Sequence, residues 1–235
     1  MKNKLIIVGN HIGNPEIISP AAIDALREYN TIVCESEETI QEVATRNNIN
    51  ISTKNILIYN FIKETDCINK IKNIILNQES VLFIVDNGMP GFADVGVRLV
   101  NECYLLGIDV EVIPGPSIVS TLPVIAGILN DNNFWTFQEF FDKDQDIIIE
   151  KLHQMKSLNH NLILIHRANE SAKFLNLVRD VFTDNRYAAV CINVGLKDQE
   201  IIRGSLSFLI KETEKLINRP NIVVSTVCSA PLSLL

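Results

Sequence analysis

Three glycine-bearing stretches, each following an apolar run, hold most of the residues of this 235-residue chain that can do chemistry. The first is Val8-Gly9-Asn10-His11-Ile12-Gly13-Asn14-Pro15. The second is Val85-Asp86-Asn87-Gly88-Met89-Pro90-Gly91-Phe92-Ala93-Asp94-Val95-Gly96, and the third is Ile113-Pro114-Gly115-Pro116-Ser117-Ile118. Glycine lets a backbone come close to a ligand, and the free N–H groups at a helix start suit an anion. The first stretch spaces its glycines G-x-x-x-G, not the G-x-G-x-x-G that cradles a dinucleotide, and its helix starts late, at Pro20. A plain turn serves there equally. The second is a rigid loop whose backbone donors and acceptors suit an amino-acid moiety, and it keeps Met89 and Phe92 at its tip. In the third, two prolines stiffen the chain around Gly115 and Ser117 caps a helix, which a structural turn also explains.

Side chains able to take, give or steer a proton stand near these stretches or after later strands: His11, Glu35, Asp86, Asp94, His166 and Arg167. Each has a plainer alternative. His11 and Glu35 suit solvent-facing loops, Asp86 and Asp94 can brace their own loop, and His166 and Arg167 can pack at a strand end. Lys143, Lys151 and Lys156 could meet phosphates, but a solvated helix face accounts for them too.

The elements that must position these groups alternate. Strands are expected over 4–8, 31–34, 56–59, 81–85 and 109–113, with helices over 20–29, 38–46, 66–77, 95–106 and 117–126. This order implies an α/β fold with a mainly parallel, helix-covered sheet, its ligand at the carboxyl ends of the strands. The three glycine stretches then meet at one end of one sheet. Around residues 130–133 the composition turns to Asn, Asp and Phe, which sets a boundary between a domain over 1–130 and a second α/β domain over 131–235. The second should hold helices over 147–155, 172–181 and 206–216, and strands over 161–165, 188–194, 201–204 and 221–227, with antiparallel edges.

Composition narrows the function. No apolar run of about 18 residues is present to span a bilayer, and the apolar run at residues 5–8 is too short for a secretion signal. Five cysteines, widely spaced and with no CxxC pair, read as small core residues of a cytoplasmic protein, and no zinc site or other metal is expected. With 28 acidic against 21 basic side chains, the net charge of −7 argues against affinity built on non-specific phosphate contacts. A local basic patch can still serve an RNA.

At the three loops the chain resembles the tetrapyrrole methylase superfamily, the class III methyltransferases, and within it the branch acting on a ribose 2′-oxygen of small-subunit ribosomal RNA. The branch opening P-I-G-N…D-I-S…R-A…L is matched by His11-Ile12-Gly13-Asn14, Ile17-Ile18-Ser19, Ala21-Ala22 and Leu26. Its S-D-A-G-T-P-G-I-S-D-P-G loop corresponds to the stretch from Val85 to Gly96, and P-G-P-S-A to Pro114-Gly115-Pro116-Ser117-Ile118. A later H-R is matched by His166-Arg167, and R-G-T-L by Arg203-Gly204-Ser205-Leu206.

The resemblance implies two α/β domains of tetrapyrrole methylase type, with S-adenosylmethionine in the cleft between them, in a homodimer. Gly88, Met89, Pro90, Phe92 and Ala93 would line the methionine end and Ser117 and Ile118 would follow, while backbone near Ile165, Val194 and Thr226 would hold the adenosine. Glu35, Asp86, His166 and Arg167 are then the candidate catalytic groups, and His11, Asn14 and Asp94 the candidates for holding substrate. The chain departs from the pattern on the substrate side. C-E-D-T-R has become Cys34-Glu35-Ser36-Glu37-Glu38, and G-F-L-P is Glu139-Phe140-Phe141-Asp142. The cofactor motifs are intact, and acid has replaced a base that can hold RNA. Besides ribosomal RNA 2′-O-methylation, two readings therefore stay open: methylation of a tetrapyrrole, another small molecule or a peptide, and a non-catalytic cofactor-binding protein.

Overall fold

A computed structural model describes residues 3–77, 79–92, 94–128, 134–142, 144–184, 186–219 and 222–230. The chain forms two compact units, Met1–Ser117 and Ile118–Leu235.

The first unit carries β1 (Lys4–Val8), α1 (Pro20–Glu28), β2 (Thr31–Cys34), α2 (Glu37–Arg46), β3 (Asn55–Ile58), α3 (Glu64–Leu76), β4 (Val81–Ile84), α4 (Val97–Leu105) and β5 (Asp109–Ile113). The strands lie in the order β3-β2-β4-β1-β5, and every pairing is parallel. The continuous apolar runs of β1, β2 and β4 follow from that position, because a central parallel strand is covered on both faces. One face packs Ile6, Val8 and Leu82 against Ala22 and Leu26 of α1 and Ile40 and Val43 of α2. The other packs Leu5, Ile7 and Phe83 against Ile68 and Ile71 of α3 and Leu99 and Cys103 of α4. Local chemistry fixes the helix starts: Ser19 caps α1 at the Ala22 N–H with Pro20 behind it, and Ser36 caps α2 at the Thr39 N–H.

This topology has a switch point. The chain leaves β1 toward α1 on one face and leaves β4 toward α4 on the other, although β1 and β4 are neighbours. The carboxyl ends of strands at such a switch point are where open α/β sheets bind ligands.

The second unit carries α5 (Ile118–Ala126), β6 (Trp135–Glu139), α6 (Gln145–Lys156), β7 (Asn161–Arg167), α7 (Ser171–Phe182), β8 (Tyr187–Ile192), β9 (Glu200–Ser205), α8 (Leu206–Thr213) and β10 (Val223–Cys228). Its sheet runs β6-β7-β10-β8-β9. Only the β6–β7 pair is parallel; β10 runs antiparallel to β7 and β8, and β9 to β8. Helix α5 covers one face through Leu122 and Ala126, and α6, α7 and α8 cover the other.

Two features differ from the sequence expectation. Helix α5, grouped there with the first half, packs on Ile163, Ile165 and Val227 of the second sheet, so contacts divide the chain ahead of the compositional change; residues 130–133 lie outside the described residues. Strand β6 was not expected at all, and it makes one edge of the second sheet parallel rather than antiparallel. Its Trp135 and Phe137, two residues apart, both pack on the α5 face, a period-two signal that the surrounding Asn and Asp obscured.

Candidate active site

The turns after β1 and β4 are tied together by backbone. The Asn10 N–H donates to Gly88 O at 2.8 Å, and the Gly88 N–H donates to His11 O at 2.7 Å. The buried Asn10 side chain completes the lock: Nδ2 donates to Val85 O and Asp86 O, both at 2.9 Å, and Oδ1 accepts from the His11 N–H at 2.8 Å. The turn after β5 joins them where the Gly9 N–H reaches Ile113 O at 2.9 Å. All three glycine stretches therefore meet at one end of the first sheet, as expected from sequence.

Close contact explains the glycines. A Cβ on Gly9 would lie 2.5 Å from Gly115 Cα and 3.1 Å from the Met89 sulfur. Gly88 stands at φ +71°, a left-handed conformation that costs an ordinary side chain about 1 kcal/mol or more.

Two acids at the mouth are fixed by this frame. Glu35 Oε2 accepts from the Asp86 N–H at 2.9 Å, and Ser36 Oγ donates to Asp86 Oδ1 at 2.9 Å. Asp86 is thereby held between the ends of β2 and β4. Glu37, Glu38 and Glu42 of α2 are exposed close by. Beneath them the buried Cys34 thiol is pushed up to about 12, first by desolvation and then by Asp86, Glu37, Glu35 and Glu38, so it stays protonated. His11 is buried, and neither ring nitrogen has a partner among the described residues. Burial lowers its pKa, while Glu42 and Asp86 oppose that shift. Asn14 caps the short turn Pro15–Ile17 through the Glu16 N–H, and Asp94 Oδ1 accepts from the Val95 N–H at 2.7 Å. Met89 and Pro90 are half-buried and Phe92 is exposed, Ser117 ends the first unit, and Ala93 lies outside the described residues.

In the second unit the expected residues sort onto two faces of one sheet. Ile118, Ile165 and Val194 belong to the apolar cluster under α5. The His166 ring lies on the opposite face, 4.5 Å from Phe174 of α7. Its Nε2 is 2.8 Å from Thr226 Oγ1, and Nδ1 is 3.3 Å from Arg167 O and 3.4 Å from Ser171 Oγ. Complete burial holds His166 down to about 4, a neutral ring that ties β7 to β10. Its side chain does not share a face with Ile165 or Val194. Arg167 is exposed, with its guanidinium 5.4 Å from the centre of the Phe141 ring.

The structure adds Asn10 and Ser36, which sequence reasoning did not single out. Both are short polar residues just past a strand end, the one signal that could have found them. Among the described residues, no three His, Cys, Asp or Glu side chains are grouped as a metal site would need, and no helix is long and apolar enough to cross a membrane.

Comparison with known proteins places the chain in a family. The family model described as Tetrapyrrole (Corrin/Porphyrin) Methylases matches residues 4–209. The chain is 31% identical over 215 residues to the ribosomal RNA small subunit methyltransferase I of a Hydrogenobaculum species, covering 92% of this chain and 91% of that protein. To the Thermotoga maritima protein of the same name it is 29% identical over 214 residues, covering 90% and 92%. Among solved structures, diphthine synthase superposes with TM-score 0.72 at 16% identity, covering 97% of this chain and 90% of that one. A cobalt precorrin-4 methyltransferase superposes with TM-score 0.69 at 14% identity, covering 96% and 94%. At such identities the two superpositions speak for the fold alone.

Proposed function

Because the chain belongs to the tetrapyrrole methylase family, we propose that it carries the methyl group of S-adenosylmethionine to a ribose 2′-hydroxyl of small-subunit ribosomal RNA. The observation that carries this reading is the interlock of the turns after β1, β4 and β5 at the switch point. It supplies a stiff rim of backbone donors and acceptors, which fits the amino-acid part of the cofactor. Gly88, Met89, Pro90, Phe92, Ala93 and Ser117 are the first-unit residues proposed to hold it. In the second unit, the half-buried Ile118 and Val194 offer apolar contact, with Ile165 beneath and the backbone at Thr226 in the neighbouring strand.

The bound group supplies an activated methyl, so the protein's own task is to orient the acceptor and dispose of a proton. Glu35 and Asp86, cross-linked through the Asp86 N–H and Ser36, are the fixed acids for steering the acceptor hydroxyl. His11, Asn14 and Asp94 are proposed on the substrate side, with Arg167 as a cation for phosphate. His166 is proposed as a positioning residue, since its ring is sealed in the core. The same reading expects a homodimer working in the cytoplasm, in keeping with five free cysteines.

One observation favours the second reading, a small-molecule or peptide acceptor: Glu37 and Glu38 stand exposed beside Glu35 and Asp86, where phosphate would be repelled. A single assay separates the two. Purified protein with labelled cofactor is offered small-subunit particles, their naked RNA, and basic peptides. Label in ribose supports the first reading; label in peptide alone supports the second.

A further inference from the structure

We infer that the free edge of β3, with the groove between β3 and α3, binds an extended segment of a partner protein. The segment carries one apolar side chain with an acidic one two residues away on either side.

Strand β3 closes one side of the first sheet and, among the described residues, pairs with β2 alone. The Asn55 N–H donates to Asn30 O at 2.9 Å, and the Tyr59 N–H to Cys34 O at 2.7 Å. Backbone groups alternate sides along a strand, so the N–H groups of Ile56 and Ile58 point away from β2. Ile58 O, on that outer side, lies 4.0 Å from the Cys67 thiol, a weak donor that a backbone N–H would outdo. Sheets commonly guard an open edge with charge or proline. The opposite edge, β5, carries Asp109 and Glu111, the latter paired with Lys4. Strand β3 reads Asn-Ile-Leu-Ile, with neither charge nor proline, and Ile58, Phe61 and Ile62 stand exposed at its end.

Beside this edge lies a cavity of about 270 Å³, walled by Val33, Leu57, Ile58 and Ile71. It is apolar inside and has room for a large aliphatic side chain. Leu57 turns toward α3 while Ile56 packs on the face of α1 and α2, as strand alternation requires. From the helix side come Lys63, Asp66, Cys67 and Lys70, spaced so that they share one face of α3. Lys63 and Lys70 are exposed, and neither makes an ion pair among the described residues. Asp66 is the single acid on that face; the nearby Glu64 is held by Tyr59 and Arg98.

An extended peptide answers all of these features together. Its backbone continues the sheet at Ile56 and Ile58, and every second side chain points toward α3. One apolar residue enters the cavity. Acids two residues before and after it lie on the same face, about 13 Å apart at the rise of a strand. Lys63 and Lys70, seven residues apart on a helix, are separated by about 10 Å. The two lysines therefore match the two carboxylates.

The test uses the full-length protein and the end-blocked, fluorescein-labelled heptapeptide Ser-Glu-Thr-Leu-Thr-Glu-Ser, read by fluorescence anisotropy. Two further peptides are N-methylated, one at Glu, Leu and Glu, the other at both Thr. Because only alternate N–H groups face the edge, one of these two should lose about tenfold or more in affinity and the other little. Lys70→Glu should weaken the parent peptide about fivefold and leave affinity for S-adenosylhomocysteine as in wild type. Cys67→Phe fills the cavity and should abolish peptide binding. Hydrogen exchange at the Ile56 and Ile58 amides should slow when peptide is added. No saturation at millimolar peptide overturns the proposal, as does equal loss, or no loss, in the two methylated peptides. A lysine-for-glutamate peptide that binds equally well overturns the charge match. Sedimentation of a dimer that Lys70→Glu or Cys67→Phe turns into monomer would give the edge to a second copy of this chain and overturn the partner-protein assignment.

Discussion

Gly9 and Gly115, at the ends of β1 and β5, touch backbone to backbone: a Cβ on Gly115 would fall 2.8 Å from Gly9 Cα, and one on Gly9 would fall 2.5 Å from Gly115 Cα. Neither glycine is required by its own φ; each is required by the other. The contact is what lets the turn after β5 lie against the turn after β1, beside Met89.

Alanine at either position must therefore push the two turns apart. Gly9→Ala and Gly115→Ala should each destabilise by about 1–3 kcal/mol. Their effect on cofactor affinity should be larger than that of an alanine at Gly107, where an added Cβ meets nothing within 4 Å. Calorimetry with S-adenosylhomocysteine and urea unfolding measure the two effects. Equal affinities in the Gly9 and Gly107 variants would show that the interlock does not shape the site.

Asn10 holds three backbone groups with one buried side chain. Asn10→Asp keeps the shape but removes the Nδ2 donor and sets an anion against two carbonyl oxygens. A loss of about 2–4 kcal/mol is expected, above the usual cost of a single unmade hydrogen bond. Chemical denaturation checks the value; a loss below about 0.5 kcal/mol, the scale of an ordinary surface change, contradicts the role given to the side chain.

Much of this frame was legible. The β-branched runs marked β1, β2 and β4, and the spacing of glycine and proline marked the turns, because buried parallel strands and tight loops each demand particular residue types. What could not be read was the orientation of single side chains. His166 and Ile165 are adjacent in sequence, yet a strand turns them to opposite faces, so a motif that places both near one ligand places only one of them there. Strand β6 was missed because its neighbours are polar, and α5 was assigned to the first half because connection and packing need not coincide.

His166 makes stability depend on pH. Its folded value of about 4 lies below the ordinary 6.5, so between these limits the unfolded chain binds a proton that the folded chain refuses. The contribution is complete above pH 6.5 and is lost as the pH falls toward 4, on the order of 3 kcal/mol across the window. His166→Gln removes the titrating group and should flatten this limb. Urea midpoints at pH 7 and pH 5 test it; identical pH dependence in variant and wild type tells against a neutral, sealed ring.

The acidic mouth sets a prediction about RNA. Glu38 stands where the family motif carries arginine. If the acceptor is RNA, Glu38→Arg should tighten binding and steepen the slope of log K against log salt by about 1, by adding a phosphate contact. A filter-binding titration at several salt concentrations reads both. Unchanged affinity and slope would place Glu38 away from the nucleic acid path.

The most direct test of the account is methyl transfer itself. Purified protein, labelled S-adenosylmethionine and small ribosomal subunits are incubated, and the RNA is digested to nucleosides. The account predicts label in a 2′-O-methylated nucleoside, reduced in Gly115→Ala. Binding of S-adenosylhomocysteine with no label in any ribose would contradict it.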